Sequence, residues 1–118
     1  MSLAALAGLL GASGVGLAAI AAHLSGEPTL KTAADFLLFH GAALLAVAAM
    51  MRGNPHRGLL AAGSLIGFGT ILFCGDLALR ALAGARLFPF AAPSGGLLLI
   101  AGWLVCAAAA PLSLRNER

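Results

Sequence analysis

The stretch Leu3-Ala-Ala-Leu-Ala-Gly-Leu-Leu-Gly-Ala-Ser-Gly-Val-Gly-Leu-Ala-Ala-Ile-Ala-Ala22 carries no charge, and Ser13 is its one polar side chain. A helix of that length is about 30 Å long, which matches the hydrocarbon core of a bilayer. Three further apolar runs follow. The readings are spans at about 3–22, 33–51, 58–82 and 93–114 within a single transmembrane domain covering 1–118. The predicted fold class is therefore all-α, an integral membrane four-helix bundle. The first run has no basic segment before it and is longer than the apolar part of a secretory signal, so it is read as a retained span.

Composition points the same way. Of 118 residues, 61% are hydrophobic and 9% charged, against about 25% charged in soluble domains. A soluble chain this short could not bury so much apolar surface. The charges cluster between the apolar runs, as loops require. The net charge of +3 comes from basic residues at span ends, which suits anionic headgroups and topology control. No basic face with interleaved aromatics is present, so nucleic-acid binding is not expected. Four spans put both termini and the second loop on one side. That side carries Arg52, Arg57, Arg115 and Arg118 against Lys31 and Arg86 on the other, with Arg80 at a span end. The bias assigns both termini to the cytoplasm.

The breaks between spans carry turn chemistry. Gly26 and Pro28 interrupt the chain after the first span, and Asn54-Pro55 after the second. Thr32 followed by Asp35 fits a capping box that would start the second span. Small residues mark packing faces: Ala4, Gly8, Ala12 and Gly16 recur every fourth position in span 1. Gly63 and Gly67 form a GxxxG pair in span 3, and Gly95-Gly96 opens span 4. Trp103 falls in the middle of span 4 and is expected to pack against a neighbouring helix. Cys74 and Cys106 lie inside apolar runs at different depths, as small packing residues rather than a disulfide.

The unusual residues are His23, Asp35, His40, Asp76 and Arg80. On the four-span topology they gather toward one membrane face as a polar intramembrane cluster. A charge facing lipid at mid-depth costs ~3 kcal/mol or more on insertion scales, so these groups should face one another or water. Asp35 reads as a helix cap and His23 as an interfacial imidazole. Asp76 and Arg80, at i and i+4, read as an intramembrane ion pair that bonds internally or to span 2 near His40. His40 reads either as a neutral buried histidine with one hydrogen bond or as a proton relay or ligand. Asp35 and His40 are turned about 140° apart on one helix, and no HxxxH or ExxH spacing occurs, so no metal and no cofactor are expected. No nucleotide loop or hydrolase triad is present, and an enzyme is not expected.

Four short motifs then carry a resemblance. They are Ile20-Ala21-Ala22-His23-Leu24, Phe39-His40-Gly41-Ala42-Ala43-Leu44, Phe73-Cys74-Gly75-Asp76-Leu77-Ala78, and Ala92-Pro93-Ser94-Gly95-Gly96 followed by Gly102-Trp103. In order and spacing the sequence resembles the DUF423 family of small bacterial membrane proteins, which includes the YgdD-like proteins. Its GAHAL-like, YHALAL-like, FSGSLY-like and TPxGGxxxxxGW-like motifs fall at these places. Asp76 stands where that pattern has serine. The resemblance covers Gly8 to Trp103 and implies four membrane helices with no established activity and no catalytic residues to carry over.

Two functions follow as expectations. One is a structural or accessory membrane protein whose partners are membrane lipids, further copies of itself or a larger membrane complex. The other is a component of a small proton or solute transporter or channel that uses His40 and Asp76.

Overall fold

The computed structural model describes residues 2–116. Its order is α1 (Leu3–Ile20), a π-helical turn (Ala21–Ser25), α2 (Pro28–Met50), α3 (Arg57–Ala83) and α4 (Ala91–Asn116). All four helices are long and apolar enough to cross a membrane. The long dimension of the molecule is 50 Å, longer than a bilayer core of ~30 Å, so the helix ends reach the headgroup layers.

Local chemistry sets each boundary. The Ser2 hydroxyl accepts the Ala5 N–H at 3.1 Å and starts α1. The helix widens into the π turn and ends at Gly26, which takes φ +67° and returns its N–H to the Ala21 carbonyl. Glycine tolerates that left-handed conformation without a Cβ clash. The start of the second helix differs from the sequence reading. It begins at Pro28, not near Ala33, with Glu27 as its N-cap: Glu27 Oε1 accepts the Thr29 N–H at 3.3 Å. Proline suits this place because the first helical N–H has no acceptor in any case. Thr32 therefore lies inside the helix, where its hydroxyl donates to the Pro28 carbonyl at 3.1 Å. The expected Thr32–Asp35 capping box does not form. At α3 the cap is a ring nitrogen: His56 Nδ1 accepts from Gly58 N and Leu59 N at 3.1 and 3.4 Å.

The helices pack as an antiparallel series, α1 on α2, α2 on α3 and α3 on α4, with only light contact between α1 and α3. The inner pair, α2 and α3, is the more buried, and α1 and α4 flank it. One apolar cluster joins Ala7 and Leu10 of α1 to Leu37 and Leu44 of α2 and Cys74 of α3. A second, toward the chain termini, joins Val47, Leu59 and Ala109. Both cysteines are free.

Close approach is made at glycines. A Cβ on Gly95 would stand 2.5 Å from Phe73 N and 2.9 Å from Gly69 O, so α3 and α4 touch backbone to backbone there. The neighbouring Gly96 is looser, with Phe73 carbons at 3.8 Å and beyond. Gly63 and Gly67 receive Leu3 and Leu6 of α1, with Leu44 of α2 beside both. In α1 the arrangement departs from the sequence reading. Ala4, Gly8, Ala12 and Gly16 are exposed, and nothing lies within 4 Å of a Cβ placed on Gly8 or Gly16. The contact face of α1 instead runs through Ala7, Gly11 and Gly14: Gly41 of α2 approaches Gly11 N and Ala7 O, and Gly14 sits against Leu37 and Leu38. Both stripes have small residues at helical spacing, and the larger neighbours Leu10 and Leu17 decide which one turns inward.

Candidate functional site

His40 lies on α2 twelve residues beyond Pro28, and Trp103 lies on α4 twelve residues beyond Ala91. At 1.5 Å per residue each is about 18 Å from its helix start, the middle of a bilayer core. His40 is buried and Trp103 is half exposed. Trp103 Nε1 donates to His40 Nε2 at 3.1 Å. His40 Nδ1 lies 2.8 Å from the Phe36 carbonyl, one turn earlier.

Together these bonds define the ring's state. Indole nitrogen can only donate and a carbonyl can only accept. Nε2 must therefore offer its lone pair, and the proton must sit on Nδ1. The imidazole is neutral in this arrangement, and both nitrogens are in use.

An aromatic row extends from it. Phe73 of α3 tilts against Phe36 of α2 with centroids 4.7 Å apart, Phe36 stacks on His40 at 5.5 Å, and His40 meets Trp103 edge-on at 5.9 Å. The row ties α3, α2 and α4 at mid-depth. Trp103 was visible in the sequence as a tryptophan away from an interface, but nothing there named His40 as its partner.

The second site is at the end of α3. Asp76 is 2% exposed. Its Oδ2 accepts from Arg80 Nη2 at 3.1 Å, and its Oδ1 accepts the Leu87 backbone N–H at 3.0 Å. Arg80 keeps 35% of its side chain exposed, so the pair is half open on the cation's side. The connection between α3 and α4 thus folds back onto α3, and Leu87 packs toward Gly75. Non-helical backbone next to hydrocarbon needs an acceptor for every N–H, and Asp76 supplies one. The carboxylate's second partner is this loop, not span 2, and sequence spacing carried no trace of it.

The five residues do not form one cluster. His40 and Asp76 share no bond. Asp35 pairs with Lys31 on its own helix at 3.1 Å, with 43% of its side chain exposed; because α2 begins at Pro28, Asp35 lies inside the helix and does not cap it. His23 is exposed on the π turn. Among the described residues, no three histidine, cysteine or acidic side chains come together in a way that could hold a metal ion.

Four apolar helices joined by short connections, with His40 and Asp76 bonded within the bundle, define a small polytopic membrane protein. The family described as "Protein of unknown function (DUF423)" matches residues 17–96, and the chain belongs to that family. Its relatives include the UPF0382 membrane protein SERP0230 of Staphylococcus epidermidis, 35% identical over 77% of this chain and 80% of that protein. The UPF0382 membrane protein SSP2132 of Staphylococcus saprophyticus is 33% identical over 83% of this chain and 78% of its own length. The UPF0382 inner membrane protein YgdD of Escherichia coli is 32% identical over 63% of this chain and 56% of its own length. No solved structure matches.

Proposed function

We propose that this chain is a structural or accessory protein of a bacterial cytoplasmic membrane, acting through its lipid-facing surfaces on lipid or on a larger membrane complex. The observation that carries this reading is the use of the buried His40 and Asp76. Both nitrogens of His40 and both oxygens of Asp76 are occupied by bonds that join helices or fasten a connection. Groups so engaged hold a bundle together, whereas a relay needs an acceptor open to the next proton donor. The outward stripe Ala4, Gly8, Ala12 and Gly16 adds a face on which another helix or an acyl chain can lie close. The inner-membrane name of the Escherichia coli relative and the arginine bias support the location, with both termini cytoplasmic.

The test is extraction in mild detergent followed by native mass spectrometry. Retained lipid or a stoichiometric membrane partner is the expected result, and a bare, monodisperse monomer would overturn the proposal. The depth of His40 keeps one competitor in view, proton or solute transport through His40 and Asp76. Flux in proteoliposomes above that of empty liposomes, lost in His40→Ala, would favour it instead.

A further inference from the structure

The π turn does more than end α1. Its residues Ala21 and Ala22 line a cleft of ≈ 300 Å³ between the last turns of α1 and the first turns of α2. Extra-residue turns of this kind recur at functional sites. The walls are methyl groups, among them Ala18, Ala22 and Ala34, which leave width where larger side chains would fill it. The rim is charged: Glu27, the N-cap of α2, is followed by Lys31 and Asp35 one turn apart on the helix.

The volume sits at the lower end of the ~300–1,000 Å³ of small-molecule sites, the scale of one polar headgroup rather than a whole lipid. The cleft lies at the helix ends, at headgroup level, with apolar flanks of α1 and α2 below it. Its charges are two carboxylates and one ammonium. Lys31 and Asp35 are paired at 3.1 Å, but their side chains are 72% and 43% exposed. An exposed pair holds little energy, so Lys31 can exchange its partner.

We infer that this cleft binds the headgroup of phosphatidylethanolamine, with Lys31 on the phosphate and Glu27 and Asp35 on the primary ammonium. The inference rests on the lipid-associated reading above and names its site and its lipid. The carboxylate excess calls for a ligand that brings its own cation, which phosphatidylglycerol lacks. A primary ammonium offers three N–H donors to the carboxylates, whereas the quaternary nitrogen of phosphatidylcholine offers none.

The experiment uses the full chain in detergent, titrated with phosphatidylethanolamine, phosphatidylcholine and phosphatidylglycerol of identical acyl chains and read by native mass spectrometry. Phosphatidylethanolamine should be retained about fivefold better than either of the others, the net worth of one ordinary hydrogen bond. Lys31→Gln should lower retention of all three lipids, whose phosphate it would contact, and the pair Glu27→Gln with Asp35→Asn should abolish the preference. The amide oxygen introduced by Glu27→Gln can still cap α2, and unchanged melting would show the variants folded. Arg86→Gln, in the other connection at the same membrane face, should leave the preference intact. Equal retention of the three lipids, or a preference that survives the Glu27/Asp35 variant, overturns this site while leaving general lipid association standing. Retention of neither lipid nor partner overturns both readings.

Discussion

Trp103 Nε1 and His40 Nε2 stand 3.1 Å apart on α4 and α2, helices that otherwise barely touch. The bond spans the middle of the membrane and requires the neutral Nδ1–H ring that the Phe36 carbonyl selects.

Trp103→Phe keeps an aromatic ring and removes the donor. Interhelical hydrogen bonds in membrane proteins measure about 0.6 kcal/mol on average and reach about 1.7 kcal/mol. The expected loss lies in that range. A double-mutant cycle with His40→Phe, read from unfolding in bicelles, should return a coupling of similar size. Additive single losses would show that the bond contributes nothing.

Asp76→Ala should be among the most damaging single changes. It leaves Arg80 without its anion and the Leu87 N–H without an acceptor. Breaking a buried pair costs about 3–5 kcal/mol, and the partial exposure of Arg80 puts this case near the lower end, about 3 kcal/mol. Adding Arg80→Leu should recover part of the loss, but not the part due to Leu87. A double variant less stable than the single would refute the ion pair as a stabilising contact.

Asp76→Asn separates the two roles. Its carbonyl oxygen can still take the Leu87 N–H, while the charge that holds Arg80 is gone. The expected cost is about 1–2 kcal/mol, smaller than for alanine. Hydrogen exchange at Leu87 should stay slow in the Asp76→Asn variant and become fast in the Asp76→Ala variant. Equal exchange in both would remove the loop anchor from the account.

Gly95→Ala and Gly8→Ala should differ sharply, although both add one methyl to a helix glycine. At Gly95 the methyl would press on Phe73 N and Gly69 O, backbone atoms that cannot move aside, for a loss of about 1–3 kcal/mol or more. At Gly8 it meets nothing within 4 Å, so stability should stay within about 0.5 kcal/mol of the parent. Thermal unfolding of the two variants side by side is the check.

Reporter fusions test the topology. Both termini should label as cytoplasmic, and fusions in the connection around Arg86 as external. Moving the excess arginines, with Arg52→Gln and Arg57→Gln against added lysines beside Lys31, should weaken or invert that orientation.

The spans were legible in the sequence because burial in lipid is a property of a whole segment. Twenty apolar residues such as Leu3 to Ala22 need no partner to declare themselves, and backbone satisfaction in hydrocarbon then leaves helix as the open choice. The charges at span ends were legible for the same reason, and Asp76 and Arg80 because their contact is one helical turn long. What lay beyond the sequence were relationships between segments and competitions between equivalent local signals. Glu27-Pro28 and Thr32–Asp35 are both good helix starts, and which one caps α2 depends on where the π turn delivers the chain. Two small-residue stripes run along α1, and only packing on α2 and α3 turned Ala7, Gly11 and Gly14 inward and left Gly8 and Gly16 outside. Trp103 met His40, and Leu87 met Asp76, through contacts across 63 and 11 residues. Helical periodicity decays within a few turns and carries no information at such separations. Tertiary structure decided them because the Trp103 and Leu87 N–H groups took their acceptors from what packing brought to their depth.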